Sequence, residues 1–302
     1  MSEHIVHTSI LKDSFLLIKN SQEISSKFKE IANDYEDFAL LGSITRGGDN
    51  FTVDLLNAFQ KRWQDGADDE LLPAKLAFVL GWLSHRAADR QMKPIWRGSD
   101  FPTDQSPTEC SIYMEAFMFR EYYSDDLKLN RAILSEELEN NCLLDNPEQV
   151  EKVVNLFRAI IKRVLIEMHT FIPPYQGDIE EFLERLFSAQ QEFKEDVIER
   201  MASAIVNPDP EKTKKYITDI NFFDHQDGII EVAQKLRQGE DVANSEFENK
   251  INEKPKSHYG KALAMSYSYI LKADQFFKKR INLEELKEGL DINKPGRHGG
   301  YV

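Results

Sequence analysis

Cysteine is almost missing from this chain. Cys110 and Cys142 are the only two in 302 residues and form no Cys-x-x-Cys pair, which excludes a disulfide framework or a Cys-rich metal module and fits a reducing compartment. Long apolar runs are also lacking. The stretch Phe15-Leu16-Leu17-Ile18 is too short for a signal core or a membrane span, and Met1-Ser2-Glu3-His4 has no basic leader, so the expectation is a cytoplasmic protein with no transmembrane segment. Basic charge is scarce relative to acidic charge, with 38 Lys+Arg against 52 Asp+Glu and a formal net charge of -14. Such a field repels a phosphate backbone, and nucleic acid is not an expected partner. No sustained alternation of Val, Ile and Thr marks a strand. No His-Asp dipeptide occurs, only the reversed Asp224-His225, and no Glu-x-x-His, which argues against an HD-type phosphohydrolase and a ferritin-like di-iron bundle.

What remains is helical. Hydrophobic residues make up 41% of the chain, enough for a large core, and they recur at spacings of three and four, so the fold class is all-α. The best-patterned segment runs from about Glu70 to Met92, with Pro73 in its first turn and a stripe of Leu76, Val79, Leu80 and Leu83. Ser106-Pro107-Thr108-Glu109 places a capping Ser, a Pro at the first helical position and a Glu at the third, opening a helix through Ile112, Glu115, Ala116 and Phe119. Asn146-Pro147-Glu148-Gln149 repeats that signal, and the helix it starts halts at Pro173-Pro174. Further amphipathic runs cover about Ile179–Val206 and Lys261–Arg280, while the polar stretch Arg237–Gly260 reads as loop. The expected organisation is a single domain over residues 1–302. Residues 4–125 form its helical core, 147–281 add helices against it, and 294–302 form a flexible tail.

Chemistry is expected where His and carboxylates share a face. His85 and Asp89 lie four apart on the Glu70–Met92 helix, so their side chains project together and can chelate one cation. Imidazole and carboxylate both suit zinc. His4 and His7, three apart near the start of the first helix, have another chelating spacing. Asp49 follows Arg46-Gly47-Gly48 in a tight turn before the helix Phe51–Trp63, which can aim a short carboxylate inward. Each of these also fits an ordinary ion pair, a solvated His pair or a turn residue.

The wider stretch Leu76 to Pro94, with its Gly81-Trp82-Leu83-Ser84-His85 and the following Asp89, resembles the signature helix of the zinc-dependent phospholipase C family, whose fold is shared with the S1/P1 nucleases. Other parts fall in the same order: His7 before a long helix, Leu41-Gly42 leading to Asp49, and Glu115 on the helix after the signature. The resemblance covers roughly residues 4–125 and implies a multi-helical phospholipase C/P1 nuclease-like fold. It also implies metal ligands at His7, Asp49, His85, Asp89 and Glu115, with Asp49 and Glu115 in catalytic roles.

The departures narrow that expectation. Family members carry further His around the signature helix, whereas between His7 and His169 this chain has only His85, and Ser111 stands a turn before Glu115. A three-zinc cluster therefore lacks its imidazoles. One or two zinc or other divalent ions, or none, are what the remaining residues can hold. Arg46, Arg86 and Arg90 are the nearest cations for gripping a phosphate. The expected function is a metal-dependent phosphoesterase acting on a small phosphoester or a phospholipid head group with a reduced metal site. The alternative is a catalytically degenerate member of the fold that binds or serves a structural role.

Overall fold

An amphipathic helix buries one stripe, but the first helix of this protein is sheathed almost all round. In α1 (His4–Asn20), Val6, Ile10, Leu11, Phe15, Leu17 and Ile18 are buried, and so are His7, Ser9, Asp13 and Ser14. Only the line of Lys12, Leu16 and Lys19 is half exposed, so the helix runs through the middle of the fold. The computed structural model describes residues 4–44, 49–66, 71–96, 107–123 and 200–292. Every regular element among them is helical, as the periodicity predicts. No described helix is long and apolar enough to cross a membrane.

Around α1 pack α2 (Ser26–Asp34), α3 (Glu36–Ile44), α5 (Leu72–Trp96) and α6 (Pro107–Tyr123). The fourth helix, α4 (Asp49–Gln64), lies on α5. Beyond a helical run at 200–206, the short α7 (Pro210–Thr213) passes into a π-turn at Lys214–Thr218. Four helices follow: α8 (Gly228–Arg237), α9 (Asn244–Asn252), α10 (His258–Phe277) and α11 (Leu283–Gly289). The long α10 lies along both α1 and α5, so these three form the centre.

Local chemistry explains the boundaries. Pro107 opens α6, as a Pro at the first helical position should. Ser257 caps α10 by accepting the Gly260 N–H at 3.0 Å, and its own hydroxyl donates to buried Asp227 at 2.6 Å. Helix α5 continues past Met92 and through Pro94, where the missing N–H is tolerated because only two more residues follow. The loop expected over Arg237–Gly260 is interrupted by α9. Phe247 and Ile251, one turn apart, give that polar segment a narrow apolar stripe, and Phe247 is buried. Helix α11 lies beyond the run expected over Lys261–Arg280, and Asn282 and Glu285 form a full capping box at its start.

Helices α3 and α5 cross at two glycines. A Cβ on Gly42 would sit 2.1 Å from the Phe78 carbonyl oxygen, and one on Gly81 would sit 2.1 Å from that of Ala39. The backbones meet because neither residue has a side chain, and this crossing sets the height of α3 against the polar turn of α5. The helix expected from Pro147 up to Pro173-Pro174, the part of the 179–206 run before residue 200, and the tail at 294–302 lie outside the described residues.

Candidate metal centre

The polar turn of α5 faces the polar side of α1. His85 and Asp89 project together one turn apart, and His7 meets them from α1, all three buried. His85 Nε2 lies 3.1 Å from Asp89 Oδ2, and His7 Nε2 lies 3.5 Å from Asp89 Oδ1. The two imidazoles stack with centroids 4.4 Å apart and planes 25° from parallel. Ligand atoms of the three residues lie within 4.8 Å of one another, a group able to hold a metal ion. The two separations run to different oxygens, so the imidazoles flank the two sides of one carboxylate.

The Gly42–Gly81 crossing supplies the orientation. It brings the Ser43 carbonyl oxygen to 2.7 Å from His85 Nδ1. A carbonyl only accepts, so Nδ1 carries the proton and donates it. A ligating imidazole is commonly fixed by such a bond through its other nitrogen. Burial alone would raise the Asp89 carboxyl, but His85 and His7 beside it hold it well below the usual carboxylate range. Lys93, one turn further along α5, also pairs with Asp89 Oδ2.

Of the other expected residues, Glu115, Arg86 and Arg90 are engaged elsewhere. Glu115 on α6 does not join the group: its carboxylate accepts the N–H of Ile5 at 2.7 Å and of Val6 at 3.0 Å, closing the N-terminus of α1. Burial pushes its carboxyl up to about 8, against the pull of those two bonds. Arg86 and Arg90 point around α5 from His85 and Asp89. Arg86 donates to the carbonyls of Leu290 at 3.1 Å and Asp291 at 2.8 Å, and Arg90 donates to Asp291 at 2.8 Å, so both guanidiniums hold the end of α11. Asp49 is the first residue of α4, but its side chain lies outside the described residues, as does Arg46.

A second buried polar cluster escaped the sequence reading. Asp13, two turns beyond His7 on α1, accepts from Tyr122 of α6, from Tyr259 of α10 at 2.8 Å and from Arg237 of α8 at 3.2 Å. Arg237 also lies over the Tyr122 ring at 3.9 Å. Burial first, and the Asp13 charge second, push both phenols well above their ordinary range, which keeps them O–H donors. Four helices are pinned by this one carboxylate. The only signal in the sequence is an acidic residue in a helix whose adjacent turns carry Ile10, Leu11, Phe15 and Leu17.

Comparison with protein-family models, with curated proteins and with solved structures gives no match to this chain.

Proposed function

We propose that His7, His85 and Asp89 hold one divalent cation, zinc by their donor chemistry, and that the chain is a metal-dependent phosphoesterase with a reduced site, acting on a phosphodiester or a phospholipid head group. The observation that carries this is the tautomer of His85. With Nδ1–H given to Ser43, the Nε2 lone pair and an Asp89 oxygen face each other at 3.1 Å, two acceptors that repel unless a proton or a metal lies between them. Two imidazoles and a carboxylate are also the three-ligand set that leaves a fourth position open in catalytic zinc sites. Bound there, the cation would supply Lewis acidity at a phosphoryl oxygen. His7 and His85 bind, Ser43 orients, and Asp89 lends the negative charge. Arg86 and Arg90 already give N–H groups to the carbonyls of Leu290 and Asp291, with which a phosphate would have to compete.

Lys93 favours a second reading, a fold member without catalysis in which a buried ion pair takes the place of a metal. Its ammonium already neutralises the Asp89 oxygen nearest His85. The readings separate on elemental analysis of untagged protein prepared without chelator. The metalloenzyme reading expects about one zinc per chain, its loss in His85→Ala, tighter zinc in Lys93→Met because the competing ammonium is gone, and zinc-dependent hydrolysis of bis-p-nitrophenyl phosphate. Absence of zinc from the wild type and from Lys93→Met alike would refute it, and so would bound zinc without hydrolysis of any phosphoester tried, which would leave a binding protein.

A further inference from the structure

A cleft of about 440 Å³ opens between the end of α1, α9 and α10, far along α1 from His7. That volume is in the range of small-ligand sites. Its floor is apolar, made by Phe247 and Ile251 of α9 and Leu271 of α10. Its rim carries Glu23 and Glu248 and no Lys or Arg.

The charge of the rim is all of one sign. Asn20 gives one amide N–H to the Leu16 carbonyl at 2.9 Å, and Asn252 gives one to the Glu248 carbonyl at 2.7 Å, so each keeps an amide oxygen and a second N–H to offer. Ser21 and Tyr267 share one hydrogen bond of 2.7 Å between their hydroxyls. The remaining polar lining, Gln22, Asn244 and Ser268, is neutral. The neutral groups can donate or accept, and the only charged side chains of the lining are the two carboxylates.

The lysines nearby leave these two carboxylates alone. On α9, Glu246 pairs with Lys235 at 2.6 Å, and Glu253 just beyond pairs with Lys250 at 3.6 Å. Glu248, which lines the cleft, has no ion pair among the described residues. At the other wall Lys278 gives its ammonium to the Asp274 carboxylate and to the Glu23 backbone carbonyl at 2.8 Å, not to the Glu23 side chain. In a chain of net charge -14 the acidic rim adds to a field that draws cations in.

We propose that this cleft binds an alkylammonium ligand, its methylene stem on Phe247, Ile251 and Leu271 and its ammonium groups between Glu23 and Glu248. Two sources carry that chemistry, a free polyamine and the lysine side chains of a peptide. Titration calorimetry on the full chain would use spermidine in one arm and the peptide acetyl-Lys-Gly-Lys-amide in the other. We expect saturable one-to-one binding in at least one arm, and the tighter arm names the source. Glu23→Gln together with Glu248→Gln should weaken it about tenfold or more, since each removes one charge-assisted bond, with helicity by circular dichroism unchanged. No saturable binding in either arm would overturn the proposal. Binding that the double variant leaves intact would overturn it as well, since the attraction would then be that of an acidic surface in general. Maltose binding as tightly as the cation would overturn the assignment of charge.

Discussion

Replacing Gly81 by Ala sets two physical effects of opposite sign against each other. Position 81 lies in the interior of α5, where Ala is the better helix former by about 1 kcal/mol, so local propensity alone expects a stabilised protein. The crossing with α3 expects the reverse. The new Cβ would stand 2.1 Å from the Ala39 carbonyl oxygen, 2.8 Å from Ser43 N and 2.9 Å from Gly42 C, all backbone atoms that cannot rotate away. Restoring ordinary contact at 3.4 Å means moving α3 outward by about 1.3 Å. Overpacking of this kind costs about 1–3 kcal/mol, and the Ser43 to His85 bond, now 2.7 Å, would stretch beyond hydrogen-bond range at a further cost of about 1 kcal/mol. The expected net is a loss of about 1–3 kcal/mol after the propensity gain is subtracted. Urea denaturation followed by circular dichroism measures it, and zinc affinity should fall in the same variant because His85 loses its orienting carbonyl. An unchanged or raised midpoint would refute the steric account, and a destabilised protein with unaltered zinc affinity would refute the role of Ser43.

Glu115 carries a pH signature. Its carboxyl is raised to about 8 in the fold, so its contribution to stability is present below the unfolded carboxyl range and is lost as pH rises through about 8, with a slope of at most about 1.4 kcal/mol per pH unit. Wild-type stability should therefore fall between pH 5 and pH 8, and Glu115→Gln should flatten that fall; parallel profiles for the two proteins would dismiss it. Arg237→Ala should destabilise by about 2–4 kcal/mol, discounted from the fully buried case because the Arg237 side chain is 20% exposed while Asp13 is 0% exposed. Adding Asp13→Asn to Arg237→Ala should recover at least about 1 kcal/mol of the summed loss in a double-mutant cycle on denaturation free energies, whereas strict additivity would mean the two are not coupled.

Periodicity determined the all-α class, because a helix repeats every 3.6 residues whatever it packs against, and α5 and α6 begin close to where Pro73 and Pro107 mark their first turns. The pairing of His85 with Asp89 was legible for the same reason, four residues being one turn. Helix α9 was not, since nine residues with a single buried side chain give too weak a period to stand out from loop composition. What lies across from a helix face is beyond any local pattern. Glu115 is a plausible ligand by position, yet α6 delivers its carboxylate to the N–H groups of Ile5 and Val6, and Arg86 and Arg90 turn toward Leu290 and Asp291, about two hundred residues away in sequence. Asp13 gathers donors from three other helices with no spacing to announce it. The sequence by itself determined which residues stand on one turn of one helix. Only the packing of α1, α3 and α5, set by two glycines that let backbones touch, decided that His7 meets His85 and Asp89 and that the Ser43 carbonyl turns the Nε2 of His85 toward Asp89.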